Sequence, residues 1–209
     1  MEFVVKLLGA NRKKVAGTLA ASLLLLLTAC TPINSAATIG KTSISVDKVQ
    51  KTVDSILAER AKVSTTGMNL ETGEALNRSQ VTFFVVSELL YQLGKRNKLL
   101  ISEQEITDQV KAVTAQVGGE ANLPSAEVNA GIAPENLREY FRTYLISTKI
   151  SNALIAGGIA KTDVTSAVQK LVSDEASRLK VSINPRYGSW SADQATIIAA
   201  PLASGAVTK

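Results

Sequence analysis

The chain has 209 residues, with 23 basic and 18 acidic side chains, one cysteine and no histidine. The lack of histidine excludes Ser-His-Asp hydrolysis, imidazole acid-base catalysis and most zinc sites. A single cysteine excludes an intramolecular disulfide and argues against thiol catalysis, and the sequence contains no glycine-rich phosphate loop.

The amino-terminal segment, residues 1–29, is organised like a secretory signal peptide. Basic residues precede an uncharged run from Val15 to Ala29, which is short for a permanent membrane anchor. The run ends in Leu27-Thr28-Ala29-Cys30, which resembles the lipobox of bacterial lipoproteins. The resemblance implies cleavage before Cys30 and a covalent lipid on its thiol, which would hold the protein on the extracytoplasmic face of the cell membrane. The alternative is an uncleaved amino-terminal helix whose cysteine is accidental.

The part of the chain after the signal peptide is long enough for one domain with its own core. The signal peptide holds four basic residues and one acidic residue, so the remaining charge is only +2. Nucleic-acid binding requires a clustered basic face. The densest cluster, Lys95, Arg96 and Lys98, is interpreted as a solvated helix end where cations complement the dipole. We therefore expect no nucleic-acid partner.

Residues 30–36 are predicted to be a short lipidated linker, which would keep the domain close to the membrane. The segment from Thr38 to Ile44 then indicates one short extended segment with a turn at Gly40-Lys41. Ser45 can cap a first helix, and aliphatic residues at helical spacing predict that this helix runs to about Arg60. Residues 61–77 are polar and contain two glycines, so we expect a mobile loop there.

The second predicted helix starts near Ser79 and is apolar over more than half of its circumference. Such a helix should lie centrally in the fold or line a groove. Ser102 and Glu105 form a capping box at the start of a third helix. Gly118-Gly119 marks the end of that helix.

Three further elements are predicted in the carboxyl-terminal half. A short helical turn at 125–130 precedes a long helix that opens at Pro134 and ends at Gly157-Gly158. Thr162 or Asp163 caps a last helix. A second extended segment lies near 180–183, and we expect it to pair with the first because a lone strand leaves its backbone groups unpaired.

The order of these elements, with the four segments AATIGKTSISVDKVQ, SELLYQLGKRNKLLISEQEITDQV, PENLREYFRTYLISTKI and VSINPRYGSW, resembles the amino-terminal chaperone domain of the SurA type, related to PrsA and trigger factor. The resemblance covers residues 37–190 and leaves 191–209 as a flexible tail. It implies a mainly α, SurA N-terminal-like fold with a small two-stranded pairing of the chain ends. It also implies binding of unfolded or exported polypeptides in a broad apolar groove, without nucleotide or metal.

Complete members of that family usually carry a parvulin-type prolyl isomerase domain after the long helix. Only a handful of residues separate Leu154 from Asp163 here, so there is no room for such a domain. The lack of histidine agrees, because parvulin sites ordinarily use it. We therefore expect no isomerase activity. Carboxylate or Ser-Lys chemistry stays possible by composition, but no constellation in the sequence supports it, so we expect the protein not to be an enzyme.

The candidate client-binding residues are aromatic or aliphatic side chains of the second and the long helix. They are Phe83, Phe84, Leu90, Tyr91, Tyr140, Phe141 and Tyr144. The alternative is that they form the core, as aromatic residues at helical spacing usually do. The tyrosines are the better contact candidates, because their rings suit partly wet surfaces. The competing function is that of a structural or adaptor lipoprotein that binds one specific partner in the cell envelope.

Overall fold

Helices dominate residues 34–200, the part of the chain that this computed structural model describes. Its helices are α1 Val46–Arg60, α2 Gly73–Arg96, α3 Glu103–Gln116, α4 Leu123–Ala130, α5 Leu137–Ala156 and α6 Val164–Arg178. Its strands are β1 Ser35–Ile39, β2 Thr42–Ser45, β3 Ser182–Ile183, β4 Ser189–Ser191 and β5 Thr196–Ile198, in two antiparallel sheets. The mainly α class is confirmed. The predicted signal peptide and Cys30 lie outside the described residues.

The first sheet joins the two ends of the described domain. β1 lies between β2 and β3, and the predicted pairing of the first and last extended segments is present, with Thr38 opposite Ser182. The prediction of only two strands is wrong, because the first extended segment is a hairpin of β1 and β2. Its turn places Gly40 at a φ of +58°, where glycine avoids the steric cost that a Cβ would bring.

The helix starts follow the capping signals in the sequence. The hydroxyl of Ser45 accepts a hydrogen bond of 3.1 Å from the backbone N–H of Lys48, at the start of α1. Ser102 and Glu105 form the predicted capping box of α3, with reciprocal hydrogen bonds of 3.2 and 2.8 Å. Both predicted helix caps are confirmed. Each cap needs only residues of one helical turn, so the neighbouring sequence supplies all of its hydrogen bonds.

The loop between α1 and α2 is shorter than predicted. α2 begins at Gly73 rather than near Ser79, so the loop covers residues 61–72. Gly73 has a φ of +54° at the first helical position, and Glu74 follows in the first turn. An acidic residue is favourable there because it faces the positive end of the helix dipole. Gly73, which the sequence analysis places inside the loop, is therefore the first residue of α2.

α2 is the central helix of the domain, as its broad apolar surface predicts. It packs against α1, α5, α6 and both sheets, and Val81, Val85 and Leu89 are fully buried. Gly94 lies at its contact with α5, where an added Cβ would be 3.1 Å from a methyl group of Ile146. The missing side chain therefore permits the close approach of the two helices.

Residues 191–198, which the sequence assigned to the flexible tail, belong to the folded domain. β4 and β5 form a hairpin, and Ile197 of β5 is buried in the core. The hairpin is also tied to α6, because the side-chain amide of Gln169 donates to the carbonyl of Asp193. A run of Thr-Ile-Ile suits a strand, but its burial depends on the neighbouring helices. Residues 201–209 lie outside the described part.

The segment Asn184-Pro185-Arg186-Tyr187-Gly188 is a structural exit from β3. Asn184 donates from its side-chain amide to the carbonyl of Ser35, at 3.0 Å, and closes the sheet. The guanidinium of Arg186 lies 5.2 Å from the centre of the Tyr187 ring.

None of the helices between residues 34 and 200 is long and apolar enough to cross a membrane.

Candidate functional site: a groove between three helices

A groove with a volume of about 340 Å³ lies between α3, α4 and α5. We call it the α4 groove. Its lining is mostly apolar: Gln109, Val113, Gln116, Leu123, Ala126, Glu127, Ala130, Ile132, Leu137, Tyr140, Phe141 and Tyr144. Such a lining, with a few polar groups, is typical of binding sites.

The amino-terminal half of α3 is fixed to α5 by ion pairs. Glu103 contacts the guanidinium groups of Arg138 and Arg142 at 2.8 and 2.9 Å, and Glu105 contacts the ammonium group of Lys149 at 2.7 Å. Hydrogen bonds from Arg138 and Arg142 lower the pKa of Glu103, and hydrogen bonds from Lys149 and Ser102 lower the pKa of Glu105 to about 2. Both carboxylates are therefore charged at neutral pH.

The other half of α3 is attached less closely to the domain. Ile106 is the only fully buried side chain of this helix. Val110, Val113 and Val117 continue the same apolar stripe but are only half-buried. Val113 of this stripe, together with Gln109 and Gln116, forms one wall of the groove.

α4 forms the opposite wall, and its carboxyl-terminal end is held by α2. Pro124 lies in its first turn, and Gly131 ends it in the left-handed conformation at a φ of +65°. The carbonyl of Gly131 accepts a hydrogen bond of 3.1 Å from the side chain of Gln80, which fixes this end to α2. Val128 is fully buried and anchors the middle of the helix.

Four of the seven predicted site residues lie along this face of the molecule. Tyr140 and Tyr144 are one turn apart on α5 and are 38% and 50% exposed. Phe141 lines the groove but is buried, with its ring 5.4 Å from that of Tyr140 in an edge-to-face arrangement. Phe83 lines a smaller cleft of about 200 Å³, which Tyr140 also lines. The two depressions therefore meet at Tyr140.

The other three predicted residues are not part of this surface. Phe84 and Leu90 are buried in the core. Tyr91 is half-buried and lines a different cleft, beside Glu88 and Arg142. The structure corrects their assignment to one surface, because α2 is buried on several sides and its apolar residues face different neighbours.

The sequence reasoning missed Glu127, which is only 6% exposed and lines the groove. Burial raises the pKa of this carboxyl group, and the nearby carboxylates of Glu59 and Glu135 raise it further. A single glutamate in a short helix gives no signal of burial. Its environment is set by the contacts of α4 with the rest of the domain.

In comparisons with protein-family models, curated proteins and solved structures, none matches this chain. The resemblance to the SurA type therefore stays a prediction. Between residues 34 and 200, no cluster of three or more cysteine, aspartate or glutamate side chains could hold a metal ion. What the groove offers is an apolar surface, two accessible phenol rings and one buried carboxyl group.

Proposed function

We propose that this protein is a membrane-anchored extracytoplasmic lipoprotein with a chaperone-like, holding function. It binds unfolded segments of exported polypeptides in the α4 groove and catalyses no prolyl isomerisation. The observation that carries the proposal is the open apolar groove flanked by the exposed rings of Tyr140 and Tyr144. Tyrosine rings supply contact area with little loss of conformational freedom, which suits a surface for varied segments.

The size of the groove supports a polypeptide segment as the ligand. A volume of about 340 Å³ is near the lower end of the range for ligand sites. It accommodates a few side chains rather than a folded partner. The adjoining cleft at Phe83 offers room for a neighbouring side chain of the same segment.

The position of Cys30 supports action close to the membrane. β1 begins at Ser35, five residues later. An extended chain spans at most about 3.5 Å per residue, so the tether from Cys30 to the strand has a maximum length of about 17 Å. The domain would then meet exported chains near the membrane surface.

The proposal is tested by light scattering with several unrelated unfolded proteins. The protein used is the unit from Thr31 to Lys209, which contains the whole described core. We expect it to suppress aggregation of most of these clients. Replacing both groove tyrosines, Tyr140→Ala and Tyr144→Ala, should weaken suppression about tenfold, since exposed aromatic anchors often dominate binding.

The matched control is Leu57→Ala, because Leu57 is as exposed as Tyr144 but lies on α1 and does not line the groove. It should leave suppression unchanged. A protein that suppresses aggregation of no client contradicts the holding function. Crosslinking in cells then tests the adaptor alternative, for which one dominant adduct is expected in place of many.

A further inference from the structure

Glu127 is the one charged side chain in the lining of the α4 groove. Its exposed fraction is 6%, and within residues 34–200 no hydrogen bond or ion pair reaches its carboxylate. Glu175 is a useful comparison, because it is also buried but is held by Arg96 and Arg178 at 2.7 and 2.6 Å. The fold supplies cations for one buried glutamate and none for the other.

The neighbours of Glu127 do not compensate its charge. Glu59 and Glu135 approach it, and both are carboxylates. Each has a partner of its own: Glu59 pairs with Lys62 at 2.6 Å, and Glu135 accepts a hydrogen bond of 2.8 Å from Ser55. Partial burial and two like charges nearby disfavour the ionised form of Glu127. A cation that entered the groove would stabilise that form.

The rest of the lining restricts what can carry that cation. Beside Glu127 lie Leu123, Ala126, Leu137 and other uncharged side chains. A ligand must therefore combine apolar side chains with one positive charge. The exposed tyrosine rings at the rim also favour a cation, through their electron-rich faces.

We propose that the α4 groove selects apolar polypeptide segments that contain a lysine or arginine, and that the cation pairs with Glu127. This inference rests on the proposed function and adds a charge preference to it. Segments with an acidic residue at the same place are disfavoured, because that residue would meet a carboxylate in a site of low dielectric constant.

The test uses two labelled peptides and fluorescence anisotropy with the unit from Thr31 to Lys209. Both peptides are short and leucine-rich. One has a central lysine, and the other has norleucine, which keeps the side-chain stem and lacks the charge. Wild-type protein should bind the lysine peptide at least about tenfold more tightly, as expected for a desolvated charge pair.

Two variants assign the preference to one residue. Glu127→Gln keeps the shape of the side chain and should abolish the preference. Glu120→Gln removes the same charge from an exposed position just before α4 and should preserve it. Thermal unfolding of each variant checks that it is folded. The main comparison, of the two peptides on wild-type protein, does not depend on the folding of any variant.

Equal binding of the two peptides by wild-type protein overturns the inference and leaves the proposed function standing. A preference that persists in Glu127→Gln also overturns it, because another group would then be responsible. A wild-type protein that binds neither peptide and suppresses no aggregation contradicts the proposed function itself.

Discussion

The ion pair between Glu175 of α6 and Arg96 of α2 should be a main attachment of α6 to α2. The carboxylate of Glu175 is inaccessible to solvent; it forms an ion pair at 2.7 Å with Arg96 of α2 and accepts two hydrogen bonds, at 2.9 and 2.6 Å, from Arg178 of its own helix. The substitution Glu175→Gln keeps the volume and removes the charge. A glutamine amide group would also direct N–H groups at a guanidinium, where both partners are donors.

The expected loss of stability follows from these contacts. A hydrogen bond to a charged group contributes about 1.5–3 kcal/mol, and Glu175→Gln removes the negative charge from both hydrogen bonds with Arg178 and from the ion pair with Arg96. Both arginines remain about half exposed, so water solvates them after the substitution. We therefore expect a loss of about 3 kcal/mol, at the low end for a broken buried pair. For a domain of this size, Tm should fall by about 6–12 °C.

The effect should also depend on pH. The hydrogen bond from Arg178 is the main cause that lowers the pKa of Glu175 below its ordinary value of 4.5. A carboxyl group with a lowered pKa stabilises the folded state above its unfolded pKa, and this contribution disappears as the pH falls through the folded pKa. The difference between wild type and Glu175→Gln should therefore be constant near neutral pH and shrink in acid below about pH 4.5.

Urea unfolding at pH 7 and pH 3 measures these differences. Asp174→Asn is the matched control, because Asp174 is on the same helix and pairs with Lys170 at 2.8 Å, but both side chains are largely exposed. Such a surface pair contributes about 0–1 kcal/mol. If Glu175→Gln destabilises the protein no more than Asp174→Asn does, the cost of burying the carboxylate cancels its pairing, and the reasoning is refuted.

Two further substitutions test the core and the carboxyl-terminal hairpin. Leu89→Ala removes a fully buried side chain of α2 and should lower the free energy of unfolding, measured in urea, by about 2–5 kcal/mol. Leu57→Ala, at an exposed position, should lower it far less. Equal losses would contradict a central position of α2. Gly188→Ala would place a Cβ against the carbonyl oxygen of Ile198, at a backbone φ of +116°. We expect the hairpin to shift in response. The fluorescence emission of Trp190, the only tryptophan, should then move to longer wavelength. Gly119→Ala is the control, since its φ of +103° gives similar strain without a contact within 4 Å, and unchanged emission in Gly188→Ala would contradict the close approach.

The sequence by itself determined the features that depend on neighbouring residues or on residue types. The cap at Ser45 and the capping box at Ser102 are each complete within one turn, so both helix starts could be predicted. The pairing of the chain ends could also be predicted, because an isolated strand must find partners for its backbone groups. The absence of histidine excludes whole classes of chemistry through composition alone.

Tertiary structure decided which apolar residues remain accessible. Phe84 and Tyr144 both follow a helical pattern, yet one is in the core and the other is half exposed. Helical spacing shows that residues share a face, but the number of elements packed on that face depends on distant parts of the chain. Glu127 is the clearest case, because an ordinary glutamate in α4 becomes a largely buried carboxyl group without a partner only where α4 packs beside α1 and lines the groove opposite α5.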